Sequence, residues 1–308
     1  PKIAFLFPGQ GSQVVGMGRE LYQASAAARA VFGLAGEVVG SDLGQLCFEG
    51  PIEELTKTSN LQPCLTTVCL AVLAALKEAG VRPDGTAGHS LGEYPALVSA
   101  GVLEAEKVIA LTAMRGDYMD RDAARRPGSM AAVIGLGMDQ VRTGVKAVGP
   151  GCQVANHNAE TQIVITGESQ AVDAASARFK EEGAKVVPLK VSGAWHSRLM
   201  SQAANDFAVR LAQTAWRDPK IPVYLNVTGR PEAKGGQIGE IMAQQLISPV
   251  RWYEIMAHLL ADGFDTFVEV GPKGVLAGLV KKHAAGQEGL RVFGVDTPAK
   301  IEALVKEL

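Results

Sequence analysis

The chain has 308 residues, 47% hydrophobic and 20% charged, the composition of an ordinary globular protein long enough for one large domain or two smaller ones. A formal net charge of −2 excludes the broad basic face that nucleic-acid binders present. The longest apolar stretch, residues 64–76, is interrupted by Thr66 and Thr67 and falls short of the ~20 residues that span a bilayer, so no membrane partner is expected.

Residues 3–7 are a continuous apolar run, as suits a strand buried on both faces, and are too few for the core of a signal peptide. They lead into Pro8-Gly9-Gln10-Gly11-Ser12-Gln13, a loop rich in free backbone N–H groups. Neither phosphate-binding motif fits: Val14 stands where G-x-G-x-x-G needs its third glycine, and Met17 follows Gly16 where a P-loop needs lysine. A loop of this kind at the end of a central strand can instead lend an N–H to an oxyanion hole. Residues 20–39 are alanine-rich and read as one helix. Asn60-Leu61-Gln62-Pro63 opens a second helix, with Pro63 suited to its first position and Gly80 stopping it. Being apolar all round, that helix belongs in the core.

Gly88-His89-Ser90-Leu91-Gly92 fits the G-x-S-x-G nucleophile elbow, in which a sharp strand-to-helix turn lifts a serine hydroxyl clear of the backbone. A helix over 94–100 and its stop at Gly101 continue the pattern. Residues 104–122 form the next helix, with Arg115 among Leu111, Thr112, Met114 and Met119. A lone arginine there either reaches out to solvent or meets an anion.

After a break at 123–128 the rhythm changes to strand 130–134, helix 138–148, strands 153–156 and 162–166, helix 169–182 and strand 185–191. This is β-α-β-β-α-β, the ferredoxin-like pattern, inserted into a larger domain whose chain resumes near Gly193. Further strands at 221–227, 266–270 and 292–295 join residues 3–7 in a mostly parallel sheet with helices on both faces. The expected boundaries are 1–126 and 193–308 for the large domain and 127–192 for the small one.

Among five histidines, His89 adjoins the serine and is expected to point elsewhere. His157 falls in the small domain, and His258 and His283 fall on helices. His196 alone sits in a strand-end loop where the chain returns to the large domain, so it is the candidate general base for Ser90. The four cysteines (Cys47, Cys64, Cys69, Cys152) form neither a C-x-x-C pair nor a ligand-spaced cluster. Buried thiols, no metal site and a cytoplasmic location are expected.

Phe7-Pro8-Gly9-Gln10-Gly11-Ser12-Gln13, Gly88-His89-Ser90-Leu91-Gly92-Glu93-Tyr94 and the loop ending at His196 together resemble the malonyl-CoA:acyl-carrier-protein transacylases. The likeness extends through residues 245–252 and 269–272, and so covers nearly the whole chain. It implies an α/β-hydrolase-like large domain with a ferredoxin-like insertion. It also implies a ping-pong transfer for fatty-acid synthesis, from malonyl-CoA to the phosphopantetheine thiol of acyl carrier protein, with no tightly bound cofactor. By that resemblance Ser90 is the nucleophile, His196 the base, and the N–H groups of Gln10 and Leu91 the oxyanion hole. Arg115 grips the malonyl carboxylate, the backbone carbonyl of Gln245 orients the histidine, and Gln62, Asn156 and Asn158 line the substrate site. Trp195 stands where family members often carry phenylalanine. The carrier protein is acidic in this family, which makes Lys273, Lys281, Lys282 and Arg198 candidates for a basic dock, and Arg198 a candidate contact of CoA phosphate.

A guanidinium matches a carboxylate as a planar fork, which lysine cannot do, and selects malonyl over acetyl. Three alternatives remain at this level: a transacylase serving polyketide carriers, a serine thioesterase or esterase sharing the elbow, and a non-catalytic carrier-binding module.

Overall fold

The computed structural model describes residues 1–308. Ten strands fall into two sheets. In chain order they are β1 (Ile3–Phe7), β2 (Gly85–Gly88), β3 (Ser129–Ile134), β4 (Cys152–Ala159), β5 (Gln162–Gly167), β6 (Lys185–Pro188), β7 (Val223–Tyr224), β8 (Pro231–Glu232), β9 (Thr266–Val270) and β10 (Arg291–Val295). The first sheet has the order β10-β9-β1-β2-β7-β8 and is parallel except for β8, which runs antiparallel at its edge.

β1 explains its own composition. Ile3, Phe5 and Phe7 face one hydrophobic core, and Ala4 and Leu6 face another on the opposite side of the sheet. A central parallel strand has no wet face, so it has no polar positions. The first core is closed by the helices Ala26–Val39, Thr58–Glu78 and Ala105–Arg125, the second by Trp252–Ala261 and Val275–His283. Thr58–Glu78 has the length and hydropathy of a membrane span, yet nearly all of it is buried under the sheet.

The helix expected over 104–122 runs on to Arg125, the strands expected over 221–227 and 185–191 shorten to Val223–Tyr224 and Lys185–Pro188, and two helix starts differ from the sequence reading. The helix expected over 20–39 is two, Arg19–Ala24 and Ala26–Val39. Ser25 leaves the helical region at φ −117° and caps the second one, accepting the Ala28 N–H at 3.1 Å. The core helix starts at Thr58, so Pro63 lies in its second turn rather than its first position. The missing proline N–H forgoes one helical bond there, a loss that the helix's full burial outweighs.

The second sheet has the order β4-β5-β3-β6, all antiparallel. With Met138–Val148 and Ser169–Glu181 against it, this is the ferredoxin-like arrangement, built around its own core of Val133, Ile163, Ile165 and Phe179. The second sheet touches the segment that leads into Trp252–Ala261, where Asn156 on β4 forms a parallel bridge with Val250: the Val250 N–H donates to the Ala155 carbonyl at 2.8 Å, and the His157 N–H to the Val250 carbonyl at 2.9 Å. All four cysteines are buried free thiols, and no cluster of three or more His, Cys, Asp or Glu side chains is placed to hold a metal ion.

Candidate active site

β1 and β2 lie side by side with Phe7 opposite Gly88, so the glycine-rich loop and the elbow leave the same C-terminal end of the parallel strands together. Their approach leaves no room for side chains. A Cβ on Gly88 would lie 2.0 Å from the Gly92 carbonyl, and one on Gly92 would lie 2.0 Å from the Phe7 oxygen. Between these glycines Ser90 takes φ 53°, a left-handed conformation rare for a residue with a side chain, and its hydroxyl stands clear of the turn.

His196 reaches that hydroxyl from the loop after β6, with its Nε2 2.8 Å from Ser90 Oγ and its own φ at 59°. Its Nδ1 faces two backbone carbonyls, Gln245 at 3.1 Å and Ser248 at 3.0 Å. Carbonyls only accept, so Nδ1 carries the proton and Nε2 offers its lone pair to the serine. Burial, with the Arg115 charge second, pushes the imidazole down to about 3. It is neutral near pH 7 and able to take a proton.

Arg115 neither reaches solvent nor pairs with an acid. It is fully buried on Ala105–Arg125, at a point where that helix runs against Thr58–Glu78 so closely that a Cβ on Gly116 would lie 2.8 Å from the Thr58 carbonyl. Its partners are neutral: Nη1 donates to Gln62 Oε1 at 2.6 Å, and Nη2 donates to Gln245 Oε1 at 3.1 Å and to Ser90 Oγ at 3.3 Å. Its Nε–H has no partner. Burying a guanidinium among neutral acceptors is costly, and a carboxylate ligand would relieve that cost.

A cavity of about 510 Å³ opens onto Ser90 and His196. Gln10, Gln62, Asn156, Asn158 and Trp195 line it; Leu91, Arg115 and Gln245 do not, and Arg115 meets the lining at Gln62 and Ser90. The Gln10 N–H donates to no carbonyl. Neither does that of Leu91, the second residue of a one-turn 3-10 helix whose leading N–H groups have no partner within it. Two unpaired donors beside a serine hydroxyl are what a developing oxyanion requires. His89 does not touch the serine. Its ring joins Asn158 Oδ1 at 2.7 Å and shares the cavity wall, so Asn158 is engaged by a side chain that the sequence set aside.

Three supporting residues were given no role from the sequence. Asn226 Oδ1 accepts the Ser90 N–H at 2.7 Å while its Nδ2 donates to the Gly88 carbonyl at 2.7 Å, which clamps the elbow from β7's side. Glu93 accepts the Asn226 N–H at 2.8 Å and a side-chain N–H of Gln245. Burial pushes its carboxyl up to about 7, against the pull of those donors and of Arg115. Ser248 contributes only its carbonyl. Of the basic residues considered for docking, Lys282 lines the cavity and Lys273 Nζ donates to the Gly11 carbonyl at its mouth, at 3.1 Å. Lys281 is exposed, and Arg198 borders a separate depression beside Arg126 and Glu168, away from the cavity.

A family model described as an acyl transferase domain matches residues 4–295. The malonyl CoA-acyl carrier protein transacylase of Bacillus subtilis (strain 168) is 44% identical, over 100% of this chain and 97% of its own length. That of Escherichia coli (strain K12) is 39% identical, over 91% of this chain and 92% of its own. Among solved structures, an acyl carrier protein S-malonyltransferase from Vibrio cholerae superposes with a TM-score of 0.94 at 37% identity, covering 99% of this chain and 100% of that one. A malonyl-transacylase in complex with a type II PKS acyl-carrier protein reaches 0.95 at 36% identity, covering 100% of both chains.

Proposed function

We infer the reaction from one premise: the chain belongs to the malonyl-CoA:acyl-carrier-protein transacylase family. It moves malonyl from malonyl-CoA to the phosphopantetheine thiol of acyl carrier protein, through a malonyl-serine intermediate, in fatty-acid synthesis.

In the reading the geometry supports best, Ser90 Oγ attacks the malonyl thioester carbonyl as His196 Nε2 takes its proton. The oxyanion is received by the Gln10 and Leu91 N–H groups, each worth a few kcal/mol by the ~10²–10³-fold losses that follow removal of one such donor. Collapse breaks the C–S bond, and His196 returns the proton to the departing CoA thiolate. The carrier's thiol then repeats the sequence in reverse, giving its proton to His196 while the serine leaves. The Gln245 and Ser248 carbonyls hold the imidazole in the productive tautomer throughout.

The observation that carries the choice of malonyl is Arg115, buried without a carboxylate and 3.3 Å from the Ser90 hydroxyl. Gln62 Oε1 now occupies one of its donors, and the malonyl carboxylate takes its place on binding. Asn156 and Asn158 border the pantetheine path along the cavity wall. The scheme uses no tightly bound cofactor and places the protein in the cytoplasm with its substrates. We read 127–192 as a small domain inserted between 1–126 and 193–308, which together form the catalytic domain.

The test is mass spectrometry of the protein after brief exposure to malonyl-CoA. A malonyl ester on Ser90 that discharges onto holo-carrier protein supports the reading. Release of free malonate without added thiol would make the protein a hydrolase.

A further inference from the structure

Glu93 opens the helix that leaves the elbow and is only 1% exposed. Both carboxylate oxygens face N–H donors, Asn226 N–H on Oε1 and the Gln245 amide on Oε2, the bonding pattern of the ionised acid. The same Gln245 nitrogen reaches the Ser90 carbonyl at 2.9 Å. With its nitrogen so committed, the amide must turn its oxygen the other way, and there Arg115 Nη2 donates to it at 3.1 Å.

A glutamine amide has two orientations of nearly equal shape, and hydrogen bonding alone decides between them. An ionised carboxylate can only accept, so Glu93 selects the orientation that presents Oε1 to Arg115. The flipped amide would set N–H groups against a guanidinium and oxygen against a carboxylate. Glu93 is also the carboxylate whose charge supports that of Arg115, although the two do not touch. A direct ion pair would occupy the fork that a substrate carboxylate needs. A counter-charge placed one neutral amide away keeps the arginine charged and aimed, with only weak acceptors to displace.

We propose that Glu93 is a positioning residue for malonyl recognition, acting through the Gln245 side chain to hold Arg115 ready for the substrate carboxylate. The proposal rests on the transacylase reading and deepens it.

The test is Glu93→Gln, assayed at pH 8, where the native carboxyl is ionised. In this variant the Asn226 N–H holds the new amide's oxygen, its nitrogen faces Gln245, and Gln245 flips. The expected result is a fall of about tenfold or more in the ratio of kcat/KM for malonyl-CoA to that for acetyl-CoA, the effect of losing one charge-assisted bond. Parallel losses that leave the ratio unchanged overturn the proposal. Gln245→Met, which removes the amide, lowers the ratio equally, and adding Glu93→Gln to it changes the ratio no further. An unchanged ratio in Gln245→Met overturns the proposal even if Glu93→Gln does not fold, and additive effects show that Glu93 does not act through Gln245. Failure of the wild-type protein to form malonyl-serine would instead overturn the transacylase reading itself.

Discussion

Ser90 and His196 lie 106 positions apart in the chain, yet their reactive atoms are 2.8 Å apart and both residues have positive φ, 53° and 59°. Each such conformation costs on the order of 1–3 kcal/mol and persists only where the surroundings dictate it. At the elbow the dictating contacts are Gly88, Gly92 and Asn226; at the histidine they are the two carbonyls on Nδ1. Of the three non-glycine residues with positive φ, two are this pair and the third is Lys273.

Replacing Ser90 separates chemistry from strain. Ser90→Ala abolishes labelling by malonyl-CoA. Ser90→Gly does the same but raises stability by roughly 1 kcal/mol, because relief of the positive φ exceeds the added chain entropy of glycine. Mass spectrometry reads the first effect and urea unfolding the second. Persistent labelling would put the nucleophile elsewhere.

Arg115→Ala lowers kcat/KM for malonyl-CoA by roughly 100-fold or more, the loss of two charge-assisted bonds, while acetyl transfer survives. Arg115→Lys recovers little, since a single ammonium cannot reproduce the fork. Equal losses on malonyl-CoA and acetyl-CoA would remove Arg115 from acyl recognition.

The pH dependence has a definite sign. As the proposed base, His196 acts in its neutral form, and burial together with the Arg115 charge holds its pKa at about 3 in the free protein. The acid limb that His196 sets in kcat/KM therefore falls well below the ordinary imidazole range: with acetyl-CoA, whose transfer does not use Arg115, the profile stays flat from pH 8 to about 5, while with malonyl-CoA it falls as the Glu93 carboxyl, held up at about 7, takes a proton. A bound malonyl carboxylate offsets the Arg115 charge, so the His196 limb in kcat lies at higher pH than the His196 limb in kcat/KM. Initial rates across pH, with circular dichroism to exclude acid unfolding, check these statements. A limb near pH 6.5 with acetyl-CoA, or coincident His196 limbs with malonyl-CoA, would contradict them.

Asn226→Ala leaves the Ser90 N–H and the Gly88 carbonyl without their buried partner, which costs about 2–4 kcal/mol of stability. It also loosens the turn that aims the hydroxyl, so kcat falls more than KM changes. Denaturant titration and steady-state kinetics on the same preparation measure the two effects, and wild-type stability in the variant would show that the clamp is dispensable.

The parts of the site legible in the sequence are those whose chemistry is bound to a residue type in a local pattern. The elbow needs its two glycines within five residues, β1 needs apolar side chains on both faces, and the β-α-β-β-α-β rhythm survives in a single chain. What stayed hidden depends on distant backbone. The histidine's partners are carbonyls, which every residue has, so nothing marks Ser248. Asn226 lies 136 positions from the N–H it accepts, and Glu93 directly follows the motif without belonging to its chemistry. Pro63 misled because a favourable local preference for the first helical turn was overridden by burial of the whole helix.

The bridge between Asn156 and Val250 has a mechanical consequence. Ser90, His89 and Gln10 form the floor of the cavity from one sheet, and Met130 and Val164 form its roof from the other. His196 spans the two: its loop leaves β6 of the roof sheet and its carbonyl accepts from Gln153 on β4 at 3.2 Å, so tilting the roof about that seam alters headroom for the acyl chain and the reach of the imidazole together. Cargo size and proton transfer are thereby linked, because the chain's return near Gly193 lies only three residues from the imidazole.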